Sequence, residues 1–138
     1  MILISTMQMK TFMLILSMGV LSSVNAIADT RFSGRWSGEQ EGRSTLTLVL
    51  KQNDNKLTGS YCFISRAGTR IDCPDDGENN LRGVIVGNGA KVTFTSSFKS
   101  AKGVAKITLE DNVLKWRLVK SSSLEISAPE HYSLIKDN

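Results

Sequence analysis

The chain has few side chains that could carry catalysis. His131 is its only histidine, so a Ser-His-acid triad would have to be built on this residue, and a zinc site made of several histidines is excluded. The sequence has no Gly-x-Ser-x-Gly turn to present a nucleophile and no glycine-rich loop to cradle a phosphate. We therefore predict no catalytic residue and no cofactor, and we expect His131 to be a partly exposed histidine on a strand.

The most polar stretch, residues 72 to 78, is rich in Asp and Glu. An EF-hand calcium loop does not fit, because Pro74 occupies a ligand position and no Glu closes the loop at the required distance. A calcium site of another type stays open as an alternative. A pair of glycosidase carboxylates would need two acids facing each other across a cleft, which neighbours on one loop do not supply unaided. The pattern favours a solvated turn and predicts no metal site.

Two cysteines, Cys62 and Cys73, lie 11 positions apart in the sequence. In an oxidising compartment such a pair most simply forms one disulfide, and the spacing is not the Cys-x-x-Cys of a redox or metal pair. A bridge that closes a loop of this length stabilises by roughly 3 kcal/mol in the chain-entropy model.

The bridge would clamp the longest connection in the chain, from Ile64 to Asn80. Long loops on rigid scaffolds often carry recognition, and clamping a loop reduces the entropy that is lost on binding. The alternative, that the bridge only stabilises a small domain, is the simpler one for this loop taken alone. The residues that we predict to contact a partner are Arg66, Arg70, Asp72, Asp75, Asp76 and Glu78.

The first 28 residues have the pattern of a cleavable signal peptide. Lys10 precedes an apolar stretch, and Ala26-Ile27-Ala28 has the small-x-small form that signal peptidase accepts. Ser17 and Gly19 interrupt the apolar stretch, so an uncleaved membrane anchor is the weaker interpretation. We expect cleavage after Ala28, a periplasmic or secreted protein with no membrane span after cleavage, and a single domain over residues 29 to 138.

The formal net charge is +4, a mild basic excess. Lys and Arg are spread from Arg31 to Lys136 and mixed with acids, which is typical of a solvated surface. Together with export, this distribution argues against a nucleic-acid partner. Weak attraction to acidic partners or to an anionic envelope surface stays open.

After residue 28 the apolar residues recur at every second position, as in Leu46, Leu48 and Leu50, which indicates antiparallel strands joined by turns. Short connections favour a meander, and closing an eight-stranded meander hides its edges. We predict an all-β, antiparallel up-and-down barrel with one disulfide, and a β-sandwich is the alternative. The predicted strands lie near residues 31–40, 45–50, 57–63, 81–86, 92–98, 105–109, 114–120 and 131–135.

Trp36 and Trp116 fall on the face of their strands that should point into the barrel. A small barrel has little room beyond its own side chains, so these rings belong to a filled core. A shallow pocket at one mouth, bounded by Trp36 or Trp116, stays open as an alternative.

The segment Phe32-Ser33-Gly34-Arg35-Trp36, followed by an alternating strand and by Leu57-Thr58-Gly59-Ser60-Tyr61, resembles the opening of avidin-like and lipocalin-like barrels. In those families a Gly-x-Trp lies on the first strand. The resemblance covers residues 32 to 61 and implies a small barrel. It carries no ligand-binding residues to this chain.

These observations favour a binding protein of the envelope or the cell exterior. We expect a periplasmic inhibitor or immunity protein that neutralises a cell-wall-degrading or lipid-degrading enzyme by protein–protein binding. The alternative is a calycin-like carrier of a small apolar ligand. A third possibility is an enzyme whose acids the sequence does not pair.

Overall fold

The structure is a computed structural model that describes residues 29–123 and 126–138. The predicted signal peptide lies outside the described residues. The described strands are β1 (Gly34–Gln40), β2 (Ser44–Asn53), β3 (Lys56–Ser65), β4 (Arg70–Asp72), β5 (Leu81–Val86), β6 (Gly89–Thr95), β7 (Lys102–Glu110), β8 (Val113–Ser121) and β9 (His131–Lys136).

Eight of these strands form a closed antiparallel barrel. Apart from β4, strands that follow each other in the chain are neighbours in the sheet, so β3 pairs with β5, and β1 pairs with both β2 and β9, which closes the ring. The predicted up-and-down barrel is therefore confirmed. The ninth strand, β4, was not predicted. It pairs only with the end of β3, where Ser65 faces Arg70, and its three residues are too few to show alternation in the sequence.

Alternate residues of each strand fill the barrel. Leu48 is fully buried, whereas its neighbour Val49 is 41% exposed, as a period of two requires. The aromatic rings stack inside the barrel, with the Tyr61 ring centroid 4.3 Å from Phe94 and 5.6 Å from Trp116. The interior is a packed core of side chains, as expected for a barrel of eight strands.

Phe94 fits inside the barrel because Gly103 lies opposite it on β7. A Cβ atom at Gly103 would overlap the Phe94 ring. The glycine is thus required for space rather than for an unusual backbone conformation.

Candidate functional site

The disulfide between Cys62 and Cys73 fixes the base of the predicted recognition loop, which follows β3. A 3-10 turn over Arg66–Gly68 reverses the chain, and β4 then runs back along β3. The tip is fastened to the turn between β1 and β2, because the backbone N–H of Ala67 donates to the carbonyl oxygen of Arg43 at 3.0 Å. The first half of the loop is therefore ordered by backbone pairing as well as by the bridge.

Asp72 anchors the middle of the loop to the connection after β6. Its side chain is 1% exposed. Its two carboxylate oxygens accept hydrogen bonds from the Ser96 hydroxyl at 2.7 Å, from the Ser97 backbone N–H at 2.7 Å and from the Ser97 hydroxyl at 2.9 Å. Hydrogen bonds to a carboxylate are among the stronger ones in proteins. Asp72 thus holds the loop in place and does not lie on its outer surface.

Asn80 fixes the end of the loop. Its side-chain oxygen accepts from the Tyr61 backbone N–H at 2.6 Å, and its side-chain nitrogen donates to the Tyr61 carbonyl at 2.9 Å and to the Thr95 carbonyl at 3.3 Å. The side-chain amide of Asn80 therefore makes the hydrogen bonds to β3 and β6 that the backbone of a strand between them would make. With the disulfide and Asp72, it gives the loop three attachments made by side chains, in addition to the backbone hydrogen bond from Ala67 to Arg43.

Four of the predicted contact residues, Arg66, Asp75, Asp76 and Glu78, are exposed on this anchored loop. The three acids share one turn, in which the Glu78 backbone N–H donates to the Asp75 carbonyl at 3.0 Å. Besides the buried Asp72, the remaining predicted contact residue is Arg70. It is half-buried, and its guanidinium lies over the Phe98 ring, 3.9 Å from the centroid. Such a contact is a cation–π interaction and fixes the direction of the arginine.

Tyr61 lies inside the barrel beneath the loop. Its side chain is fully buried, and its hydroxyl has no hydrogen-bond partner among the described residues. Burial raises the pKa of the Tyr61 phenol well above its ordinary value, and the charge of Asp72 raises it further. Tyr61 therefore stays neutral as part of the core.

Trp36 and Trp116, the residues of the candidate mouth pocket, are 2% and 1% exposed. The Trp36 indole N–H donates to the Phe32 carbonyl, and the Trp116 indole N–H donates to the Pro129 carbonyl, each at 2.9 Å. Both rings are thus placed in the core with their polar atoms satisfied.

The barrel's outer face carries a line of basic residues that the sequence pattern did not predict. Lys91 on β6 lies directly opposite Lys106 on β7, Lys106 lies opposite Arg117 on β8, and Arg117 lies opposite His131 on β9. We call these four residues the basic row. A concavity of about 510 Å³ on this face is lined by three members of the row and by Lys115, with Glu110 as its single acid.

Within residues 29–123 and 126–138, no three His, Cys, Asp or Glu side chains are placed to hold a metal ion. The described part of the chain contains no helix with the length and apolar character of a membrane-crossing segment. No protein-family model, curated protein sequence or solved structure matches this chain.

Proposed function

We infer that this protein is an exported binding protein that neutralises an enzyme by protein–protein contact through its clamped loop. The observation that carries the proposal is the combination of exposed charge and rigid attachment in one loop. Arg66, Asp75, Asp76 and Glu78 face solvent, while the loop is held by the disulfide, by Asp72 and by Asn80.

A preformed loop binds without first losing conformational freedom. Ordering a side chain or a loop segment at an interface costs about 0.5–1.5 kcal/mol for each mobile side chain, and a fixed backbone lowers that cost. Rigid loops with exposed charges suit a partner of complementary shape and charge, and inhibitors of this size bind their enzymes in that way. The disulfide is consistent with an oxidising compartment outside the cytoplasm.

The packed interior favours this function over the carrier. The rings of Tyr61, Phe94 and Trp116 contact one another inside the barrel, with Phe94 and Trp116 centroids 5.4 Å apart. Carriers keep a cavity for their ligand, and the mouths of barrels are its usual place. Binding through the outer surface and the loop needs no such space.

The direct test is capture from envelope extracts of the producing cell and of competing cells. We expect one stoichiometric protein partner, a cell-wall-degrading or lipid-degrading enzyme, whose activity falls when the complex forms. Arg66→Glu and the double variant Asp75→Lys with Asp76→Lys change the charge of the loop without touching its three attachments. One of these variants should weaken capture at least about tenfold, since charge reversal replaces attraction with repulsion.

The control is Lys120→Glu, which changes an exposed cation on β8 opposite the uncharged Val104, across the barrel from the acids of the loop. Recovery of a small molecule by native mass spectrometry, with no protein captured, would replace the inhibitor with the carrier. Equal capture by all loop variants would remove the loop from the interface.

A further inference from the structure

The basic row places like charges directly opposite each other on neighbouring strands. Cross-strand partners on one face have Cβ atoms about 4.5–5.5 Å apart, and like charges at that distance destabilise a sheet. Among the described residues, the acids in ion pairs are Asp29 and Asp137, which pair with Arg31 and Arg35, so neither neutralises Lys91, Lys106 or Arg117. Lys91, Lys106 and Arg117 are therefore closely spaced cations whose charge is left for another molecule.

The row continues onto an exposed apolar residue. Val84 on β5 lies opposite Lys91 on one side and opposite Lys56 of β3 on the other, and it is 52% exposed. Val84 is thus an apolar contact between two lysines, and Lys106 and Arg117 follow it along the row. A ligand that matches this order carries one apolar group and then several negative charges.

The length of the row sets the length of that ligand. The row crosses three gaps between neighbouring strands, and the step from Val84 to Lys91 adds a fourth, which gives about 19 Å along the sheet backbone at roughly 4.8 Å per gap. An extended peptide advances about 3.3 Å per residue, so it needs at least about six residues, and more where it follows the wider arc outside the side chains.

The row also reaches the clamped loop. The Gln40 side chain at the end of β1 donates to the His131 carbonyl, and the Gln40 carbonyl accepts from the Arg43 backbone N–H at 3.0 Å. Arg43 is the residue to which the loop tip is fastened through Ala67. The loop tip and the His131 end of the row therefore lie close to the same turn, between β1 and β2, where one partner can contact both.

We propose that the basic row binds an extended acidic segment of the protein partner, with an apolar side chain on Val84 and carboxylates along Lys91, Lys106 and Arg117. This inference rests on the proposed function, and it adds the charge and shape of the partner. The row and Val84 together span five of the eight barrel strands, about half of the circumference, so a flat membrane surface cannot follow them. An inorganic polyphosphate could follow the curve but offers nothing to Val84.

The test uses the purified protein and two synthetic peptides, acetyl-Leu followed by six Glu and acetyl-Leu followed by six Gln. Nuclear magnetic resonance titration at low salt should shift amide signals of β5 to β9 with the Glu peptide only, and added salt should reverse the shifts. The double variant Lys106→Glu with Arg117→Glu should weaken binding at least about tenfold, whereas Lys51→Glu should change it less than about twofold.

The proposal is overturned if the Gln peptide binds equally well or if the shifts are spread over all basic surfaces. It is also overturned if phosphatidylglycerol vesicles or polyphosphate bind this face more tightly than the Glu peptide. The double variant Lys106→Glu with Arg117→Glu can bind the captured protein partner normally while Arg66→Glu does not. In that case the partner has no acidic segment on the row, and the inhibitor proposal stands. If the Glu peptide binds the row but no protein partner is recovered, the acidic ligand stands and the inhibitor proposal is wrong.

Discussion

Replacing Lys106 with Glu should stabilise the barrel, although most substitutions destabilise a folded protein. Lys106 faces Lys91 on one neighbouring strand and Arg117 on the other, so the change converts two repulsive pairs into two attractive ones. A cross-strand charge pair contributes roughly 0.2–1 kcal/mol, and exposed pairs lie in the lower part of that range. Counting the repulsion removed and the attraction gained at both pairs, we expect about 1–2 kcal/mol at low salt.

The measurement is urea and thermal unfolding followed by circular dichroism. For a domain of this size, a gain of 1–2 kcal/mol corresponds to a Tm rise of about 4–8 °C. The gain should shrink by more than half between about 20 mM and about 500 mM salt, because the Debye length falls from about 20 Å to about 4 Å. Lys51→Glu makes the same change of net charge opposite the uncharged Thr58, away from the basic row.

A Lys106→Glu variant that is no more stable than Lys51→Glu at low salt would contradict repulsion between the cations of the basic row. A gain that is independent of salt would contradict it as well, because a packing effect would then explain the gain. Lys106→Thr separates the two contributions, since it removes the repulsion without adding attraction, and it should give about half of the gain.

Three further outcomes follow from the core and the loop. Gly103→Ala should cost about 1–3 kcal/mol in urea unfolding, because the new Cβ overlaps the Phe94 ring, and the added change Phe94→Leu should recover part of the loss. Asp72→Ala should lower the free energy of unfolding by about 2–3 kcal/mol, because Ser96 and Ser97 lose the carboxylate that they donate to. It should also speed amide hydrogen exchange in the loop, and unchanged exchange would contradict the anchoring role. Because burial and then the charge of Asp72 raise the pKa of Tyr61 in the folded state, the phenol's contribution to stability is complete below pH 10 and is lost as the pH rises further. Stability should fall by up to about 1.4 kcal/mol per pH unit above pH 10, and Tyr61→Phe should remove that part of the fall.

The barrel could be predicted because each strand repeats one simple signal. Buried Leu46, Leu48 and Leu50 alternate with residues that are more exposed, and turns at short intervals leave a meander as the natural topology. The role of Asp72 could not be predicted. Its partners Ser96 and Ser97 lie 24 and 25 positions away, so nothing local distinguishes it from the exposed Asp75.

One pair of the basic row, Lys106 and Arg117, could have been predicted from the sequence. Two-residue turns fix the register of a hairpin, and the turn at Asp111-Asn112 places Lys106 opposite Arg117. The register between β6 and β7 could not be obtained in this way, because their connection is six residues long, nor could that between β8 and β9, whose connection is longer still. The charges therefore seemed evenly spread along the chain, although the sheet brings them together.

The folding of the barrel does not explain the basic row, because the rows beside it avoid the same repulsion. Arg82 lies between Thr58 and Thr93, and Lys115 lies between Thr108 and Ser133, to whose hydroxyl it donates at 3.0 Å. Arg82 and Lys115 thus each have a hydroxyl-bearing residue on both neighbouring strands, whereas Lys106 has a cation on both. If binding of an acidic segment accounts for the difference, Lys106→Glu must raise stability and weaken peptide binding in the same protein. If Lys106→Glu instead raised both stability and peptide binding, or lowered both, binding of an acidic segment would not explain the repulsion.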